Sequence, residues 1–395
     1  MPPFRWIEVA GLDLDRSILR PPAALANLFD TAPRELPERI VEAAVEHEVD
    51  GVLISPSPVR SDLPEILSLE ATDALQDLVE SLRELNVTTV VATSAHVPFW
   101  RRILGRDEKT CLLLPGQRFS LHDRNDQHCA ELIGIDPAGT PLPSHRRQHF
   151  TIGMAPTLNI AEVAADSIAD LDYLAVGLGT RKSRRLEACL AHCPGSPLPW
   201  HANQTGPHGI SLVHVDGADF IQTEFIPTSP VRFETLTVTV PPEANFDELA
   251  LIMVEELSNQ PAEEREQAWV VTWHIQGHET LLRQIENTGG RSALRRLLPE
   301  KHQGRVVSHR FLVALTESHP SIDHPFASQL ELALQSQRRR FASPSERFDY
   351  VGLRAGAKHQ QRVQELLANC DQQSVEDLAR RLGRRLATAV RPDLE

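Results

Sequence analysis

Apolar positions in the first hundred residues switch between two periods. Arg5 to Ala10 is a short apolar run around Trp6, Ile7 and Val9 and reads as a strand. Leu36, Ile40, Val41, Ala44 and Val45 recur at helical spacing, and Val52-Leu53-Ile54 follow as a buried strand. Leu67, Ala71, Leu75, Leu78, Leu82 and Leu85 mark a second amphipathic helix, and Val87 to Val91 is again a strand. Strands alternating with helices at this spacing predict βαβ crossovers and parallel pairing.

After Cys111 the pattern becomes β-rich. Phe119 to His122 and Cys129 to Ile135 flank Asn125-Asp126, and Ile210 to Val215 and Phe220 to Ile226 flank Asp216-Gly217; both read as hairpins. Phe150 to Met154 and Tyr173 to Val176 are further strands, separated by a helix near Ala161 to Ile168. The expected fold class is therefore α/β, a mixed two-sheet sandwich covered by helices. From Val231 the pattern restarts: Thr235 to Val240, Trp269 to Ile275 and Val306 to Leu315 read as strands, with helices at Phe246 to Leu257 and near Leu281 and Leu294. The expected domains are a sandwich over 1–230, a small α+β capping-like unit over 231–320 and a helical C-terminal segment over 321–395.

Composition narrows the class. The 395 residues carry a net charge of −14, with 24% charged and 41% hydrophobic residues, the profile of a globular protein. No apolar run approaches the ~20 residues of a membrane span. Met1 to Val9 lacks the long apolar stretch of a secretory signal. Five irregularly placed cysteines fit a reducing compartment, so a cytoplasmic location is expected. Overall acidity argues against a dedicated nucleic-acid binder, although net charge hides local patches.

Several segments fall in an order that carries meaning. The first strand runs into Gly11-Leu12-Asp13, the second into Pro56-Ser57, and Val87 to Ala92 into Ser94-Ala95-His96-Val97. Ile152-Gly153-Met154-Ala155 runs into Pro156, and Tyr173 to Val176 into Gly177-Leu178-Gly179-Thr180. Pro194-Gly195-Ser196-Pro197, Gln204-Thr205-Gly206-Pro207-His208-Gly209 and Val213-His214-Val215-Asp216-Gly217 follow. This series resembles the calcineurin-like metallophosphoesterase superfamily, in its DNA-repair exonuclease branch of the SbcD and YhaO type, over about residues 4 to 240.

The resemblance implies a β-sandwich with a two-metal phosphoesterase site, one metal activating water and the other stabilising the leaving oxygen. The positions matching the family's ligands are Gly11, Asp13, Ser57, Ala95, Pro156, Leu178 and Thr180, with His96 at the family's proton-donor histidine. Glycine, alanine, proline and leucine offer no side-chain donor atom, and only Asp13 is a carboxylate. The expectation is a pseudo-nuclease without catalytic residues, metal or other cofactor, serving a DNA-repair-like complex. Its implied partner is a coiled-coil ATPase of the SbcC or YhaN type, with DNA and a second copy of the chain as further candidates and no membrane. One alternative is an active, manganese-dependent phosphodiesterase or exonuclease with ligands drawn from Asp13, Asp15, His96 and His201. A second is an interaction scaffold with no nucleic-acid role.

Near the C-terminus Val375, Leu378, Leu382 and Leu386 form an apolar helical stripe beside Arg380, Arg381, Arg384 and Arg385. It reads as either internal core or a docking face for the ATPase coiled coil. His122-Asp123-x-x-Asp126-x-His128-Cys129 has the residue types of a metal site, but asparagine and aspartate at a turn explain it as a polar hairpin. His145 and His149 flank Arg146-Arg147 in what reads as an exposed loop. Cys189, His192 and Cys193 lack further ligands at zinc spacing.

Overall fold

The computed structural model describes residues 3–14, 18, 21–56, 68–93, 95–135, 149–163, 168, 170–218, 220–241, 243–277 and 279–315. The chain divides into a unit Met1–Thr316 and a unit Glu317–Glu395, and the described residues all belong to the first. Ser57, Asp15, His145 and the stripe Val375, Leu378, Leu382 and Leu386 lie outside them.

The first third alternates as its pattern predicts: β1 (Phe4–Leu12), α1 (Ala26–Glu46), β2 (Gly51–Pro56), α2 (Leu69–Glu84), β3 (Thr88–Ala92), α3 (Val97–Leu104) and β4 (Thr110–Leu113). Then come β5 (Arg118–His122), β6 (His128–Gly134), β7 (Phe150–Asn159), β8 (Tyr173–Leu178), β9 (Lys182–Leu186), β10 (Cys189–Cys193), β11 (Gly209–Val215) and β12 (Ile221–Pro227). The helix expected near Ala161 to Ile168 is a single 3₁₀ turn, Ile160–Glu162, in the described residues.

These strands form two six-stranded mixed sheets, ordered β12-β11-β1-β2-β3-β4 and β5-β6-β7-β8-β10-β9. β1 to β4 run parallel, as do β6, β7, β8 and β10; β11 lies antiparallel to β1. Alternation along β1 assigns its two faces. Ile7 and Val9 pack with Phe29, Leu36 and Ile40 of α1 and Leu75, Leu78 and Leu82 of α2. Phe4 and Trp6 point the other way and pack with Phe150, Ile152 and Tyr173 of the second sheet. The two sheets are therefore stacked, and burial of each such side chain contributes about 1.5–3 kcal/mol.

A third sheet follows, from β13 (Val231–Val240), α4 (Phe246–Ser258), β14 (Ala268–Gly277), α5 (Glu279–Glu286), α6 (Thr288–Leu297), β15 (Lys301–His302) and β16 (Arg305–Leu315). Its order is β13-β14-β16-β15, and the three long strands are parallel. Asn245 and Glu248 close a capping box at the start of α4, satisfying N–H groups that the helix leaves open. Trp269, Val271, Trp273 and Ile275 pack with Leu249, Met253, Leu282 and Leu294 in a separate core. The start of β13 belongs to the first core instead: Val231 and Phe233 are buried there, and Phe233 meets Phe29 edge-on at 5.7 Å. Among the described residues no helix is long and apolar enough to cross a membrane.

Candidate functional site

The direction of the parallel strands decides where the motif positions gather. Phe4 and Trp6, early in β1, meet Phe150 at the start of β7 at 5.5 and 6.4 Å, and Trp6 meets Tyr173 at the start of β8 at 5.1 Å. The parallel strands of both sheets thus begin at one end of the sandwich. Gly11, Asp13, Ala95 and His96, beyond or near the ends of β1 and β3, lie toward the opposite end, as do Pro156, Leu178 and Thr180 of β7, β8 and the turn that follows. Carboxyl ends of parallel strands are where α/β sheets place their ligand sites.

Each position has a local reason for its conformation. The β1–β2 ladder slips between Ala10, paired with Ser55, and Leu12, paired with Pro56. Gly11 absorbs the slip at φ +69°, a left-handed conformation that strains a residue with a side chain. Asp13 follows, half-buried. After β3, the Thr93 hydroxyl accepts the Ala95 N–H at 3.0 Å and so fixes the turn. His96 takes φ +53° just before α3, and among the described residues its imidazole makes no hydrogen bond or ion pair. In the second sheet the β7–β8 ladder slips between Ala155 and Asn159, and Pro156 stands at the slip. Gly177 packs directly on the Pro156 backbone, where a Cβ would come within 2.2 Å of the carbonyl oxygen. Leu178 is half-buried and Thr180 exposed.

The set thus shares one end of the sandwich but not one chemistry. It comprises one carboxylate, one imidazole and one hydroxyl, with backbone and hydrocarbon at the other positions. Among the described residues no three His, Cys, Asp or Glu side chains stand converged as metal ligands. Cys189 and Cys193 are buried against Ala155 and Val176 on the outer face of the second sheet, and burial pushes the Cys193 thiol up to about 12. His192 between them points to the inner face instead, so the trio does not converge.

A polar network inside the sandwich was not foreseen in the motifs. Glu8 lies between the sheets and accepts a short hydrogen bond from the Tyr173 hydroxyl. Burial pushes its carboxyl well above the ordinary range, and the Tyr173 bond pulls part of the way back. Glu8 stands opposite Ser211 on β11, whose hydroxyl meets His192 Nε2 at 2.9 Å, and His192 Nδ1 meets Ser183 at 2.8 Å. Burial lowers His192 to about 4, so the ring is neutral and must accept from one serine while donating to the other. Glu8 Oε1 and the Ser55 hydroxyl are buried without a partner among the described residues. The signal was present in the sequence: at period two, Phe4, Trp6 and Glu8 share a face, so Glu8 is a carboxylate on an aromatic stripe.

A groove of about 540 Å³ lies elsewhere, at the starting end of β1, lined by Arg5, His47, His214, Gln222 and Glu224. Its lining includes His214 of the motif series but none of the positions that match the family's ligands.

No family model matches this chain, and no curated protein matches it. Among solved structures it is similar to TT1561 of Thermus thermophilus, at 12% identity and a TM-score of 0.34, over 56% of this chain and 98% of that one. A second solved structure is similar at 12% identity and a TM-score of 0.33, over 56% of this chain and 99% of the other.

Proposed function

We propose that this chain is a non-catalytic subunit of metallophosphoesterase-like type, a pseudo-nuclease of a DNA-repair-like complex with a coiled-coil ATPase. The observation that carries the reading is the donor inventory at the carboxyl end of the sandwich. The motif order of a two-metal phosphoesterase is kept, while Gly11, Ala95, Pro156 and Leu178 offer no ligand atom at four of its positions. A pair of hard cations a few ångströms apart needs a bridging carboxylate, and Ser57 stands at that position. His96 remains, but a proton donor has nothing to assist where no nucleophile is generated. Partner contact is assigned to Val375, Leu378, Leu382 and Leu386.

Hydrolysis of a bis-aryl phosphate and of linear DNA in Mn²⁺ tests the catalytic half. The expected result is no turnover above the protein-free rate, unchanged in His96→Ala. Manganese-dependent turnover that disappears in His96→Ala overturns the reading. For the partner half, Leu378→Asp combined with Leu382→Asp is expected to abolish co-purification with a co-expressed coiled-coil ATPase while the melting of the sandwich is unchanged. A double variant that unfolds the chain identifies the stripe as internal core.

A further inference from the structure

The turn-flanking histidines of the β5–β6 hairpin acquire a third neighbour in the fold. His122 and His128 are a cross-strand pair, with ring centres 5.6 Å apart. β7 runs parallel beside β6 and starts at Phe150, which brings His149 to the same place; its ring centre lies 4.4 Å from that of His128. Two imidazoles on one tetrahedral zinc, each nitrogen about 2.1 Å from the metal, stand roughly 5 Å apart centre to centre. The two measured separations bracket that value.

We propose that His122, His128 and His149 form a binding site for one borderline divalent cation of the zinc type, with water as fourth ligand. Three histidines and an open position suit zinc better than magnesium or calcium, which prefer oxygen. The His122 tautomer favours it: Nδ1 donates to the Ser120 carbonyl at 3.1 Å, leaving the Nε2 lone pair free. In the structure the rings meet edge to face, with their nitrogens not converged. His149 is exposed and His128 half-buried, so these two rings can turn between rotamers toward His122, which keeps its bond to Ser120. Two of the charged groups nearby are ion-paired, Glu131 with Arg118 and Asp126 with Lys109, each at 2.9 Å. His149 stands seven residues before Pro156 along β7, on the order of 20 Å from the motif end at strand rise. The metal therefore ties the hairpin to β7 and has no part in the site proposed above.

The test is a Zn²⁺ titration of the full chain after chelator treatment, by calorimetry and equilibrium dialysis near neutral pH. One zinc per chain is expected, with a visible tetrahedral band on Co²⁺ substitution. His149→Ala, at an exposed position, is expected to leave the fold intact by circular dichroism and to weaken binding on the order of a hundredfold or more. Affinity is expected to fall steeply below about pH 6, because protons compete for the same nitrogens. Absence of saturable zinc binding, or a zinc equivalent that survives His149→Ala, overturns the assignment. Neither result depends on phosphoester turnover, so the two proposals fail separately.

Discussion

At the residue scale, two buried ionisable groups set opposite pH dependences. Glu8 binds its proton more tightly in the folded chain than in the unfolded one. Its contribution is fully present below the ordinary carboxylate range and is lost as pH rises through the raised folded value. Glu8→Gln keeps an acceptor for the Tyr173 hydroxyl and removes the charge. It is expected to stabilise the protein at neutral and alkaline pH, with the gain vanishing in acid. Melting curves of wild type and variant at several pH values check this. His192 behaves inversely. Between its ordinary 6.5 and the folded value of about 4, the unfolded chain takes up a proton that the folded chain refuses. Stability is full above the upper value and falls by about 3 kcal/mol on going down to pH 4. Denaturant titrations across that window are expected to show a shallower acid loss in His192→Gln, and an unchanged slope would place the proton uptake elsewhere.

At the element scale, the β7–β8 pair is held by close backbone approach. Gly177 leaves no room for a methyl group, because the obstructing atoms are the Pro156 main chain itself. Gly177→Ala is expected to cost about 2–3 kcal/mol, since neither strand shifts without disturbing its other neighbour. Gly289, within α6, supplies the contrast: its nearest obstacle is the Asn287 side chain at 3.3 Å. Gly289→Ala is expected to be neutral or to stabilise by up to about 1 kcal/mol, through helix propensity. Calorimetry on both variants separates packing from propensity.

For the whole molecule, the question is whether the third sheet melts by itself. Sequence pattern places a boundary after residue 230, and the compact unit Met1–Thr316 contains it. The start of β13 explains this: Phe233 fills the first core beside Phe29, and three residues further on Leu236 belongs to the core of the third sheet. Arg232 ties the same junction, donating to Glu234 at 2.6 Å and stacking over Trp269 at 4.6 Å. Phe233→Ala is expected to cost about 3–5 kcal/mol and to lower the melting of residues 1–316 as a single transition. Two separated transitions, with only one of them shifted, would show that the sheets are energetically independent.

Local pattern was enough for the elements that alternate cleanly. The βαβ series from β1 to β3, both hairpins and the strands of the third sheet follow from period and turn chemistry, because their apolar faces are continuous along the chain. The exposed strand β9 and the short helix α3 were not legible: Lys182–Leu186 has no apolar face, and α3 begins at a left-handed His96 after a turn fixed by Thr93. That Gly11, Ala95, Pro156 and Leu178 carry no side-chain donor atom is read from the sequence, because ligand chemistry is a property of residue type. Their sharing of one end could not, since it depends on how two sheets align. Nor could the partners of Glu8 and His192, or the meeting of His149 with His128. Those contacts join residues far apart in sequence, and only the stacking and register of strands bring them within reach.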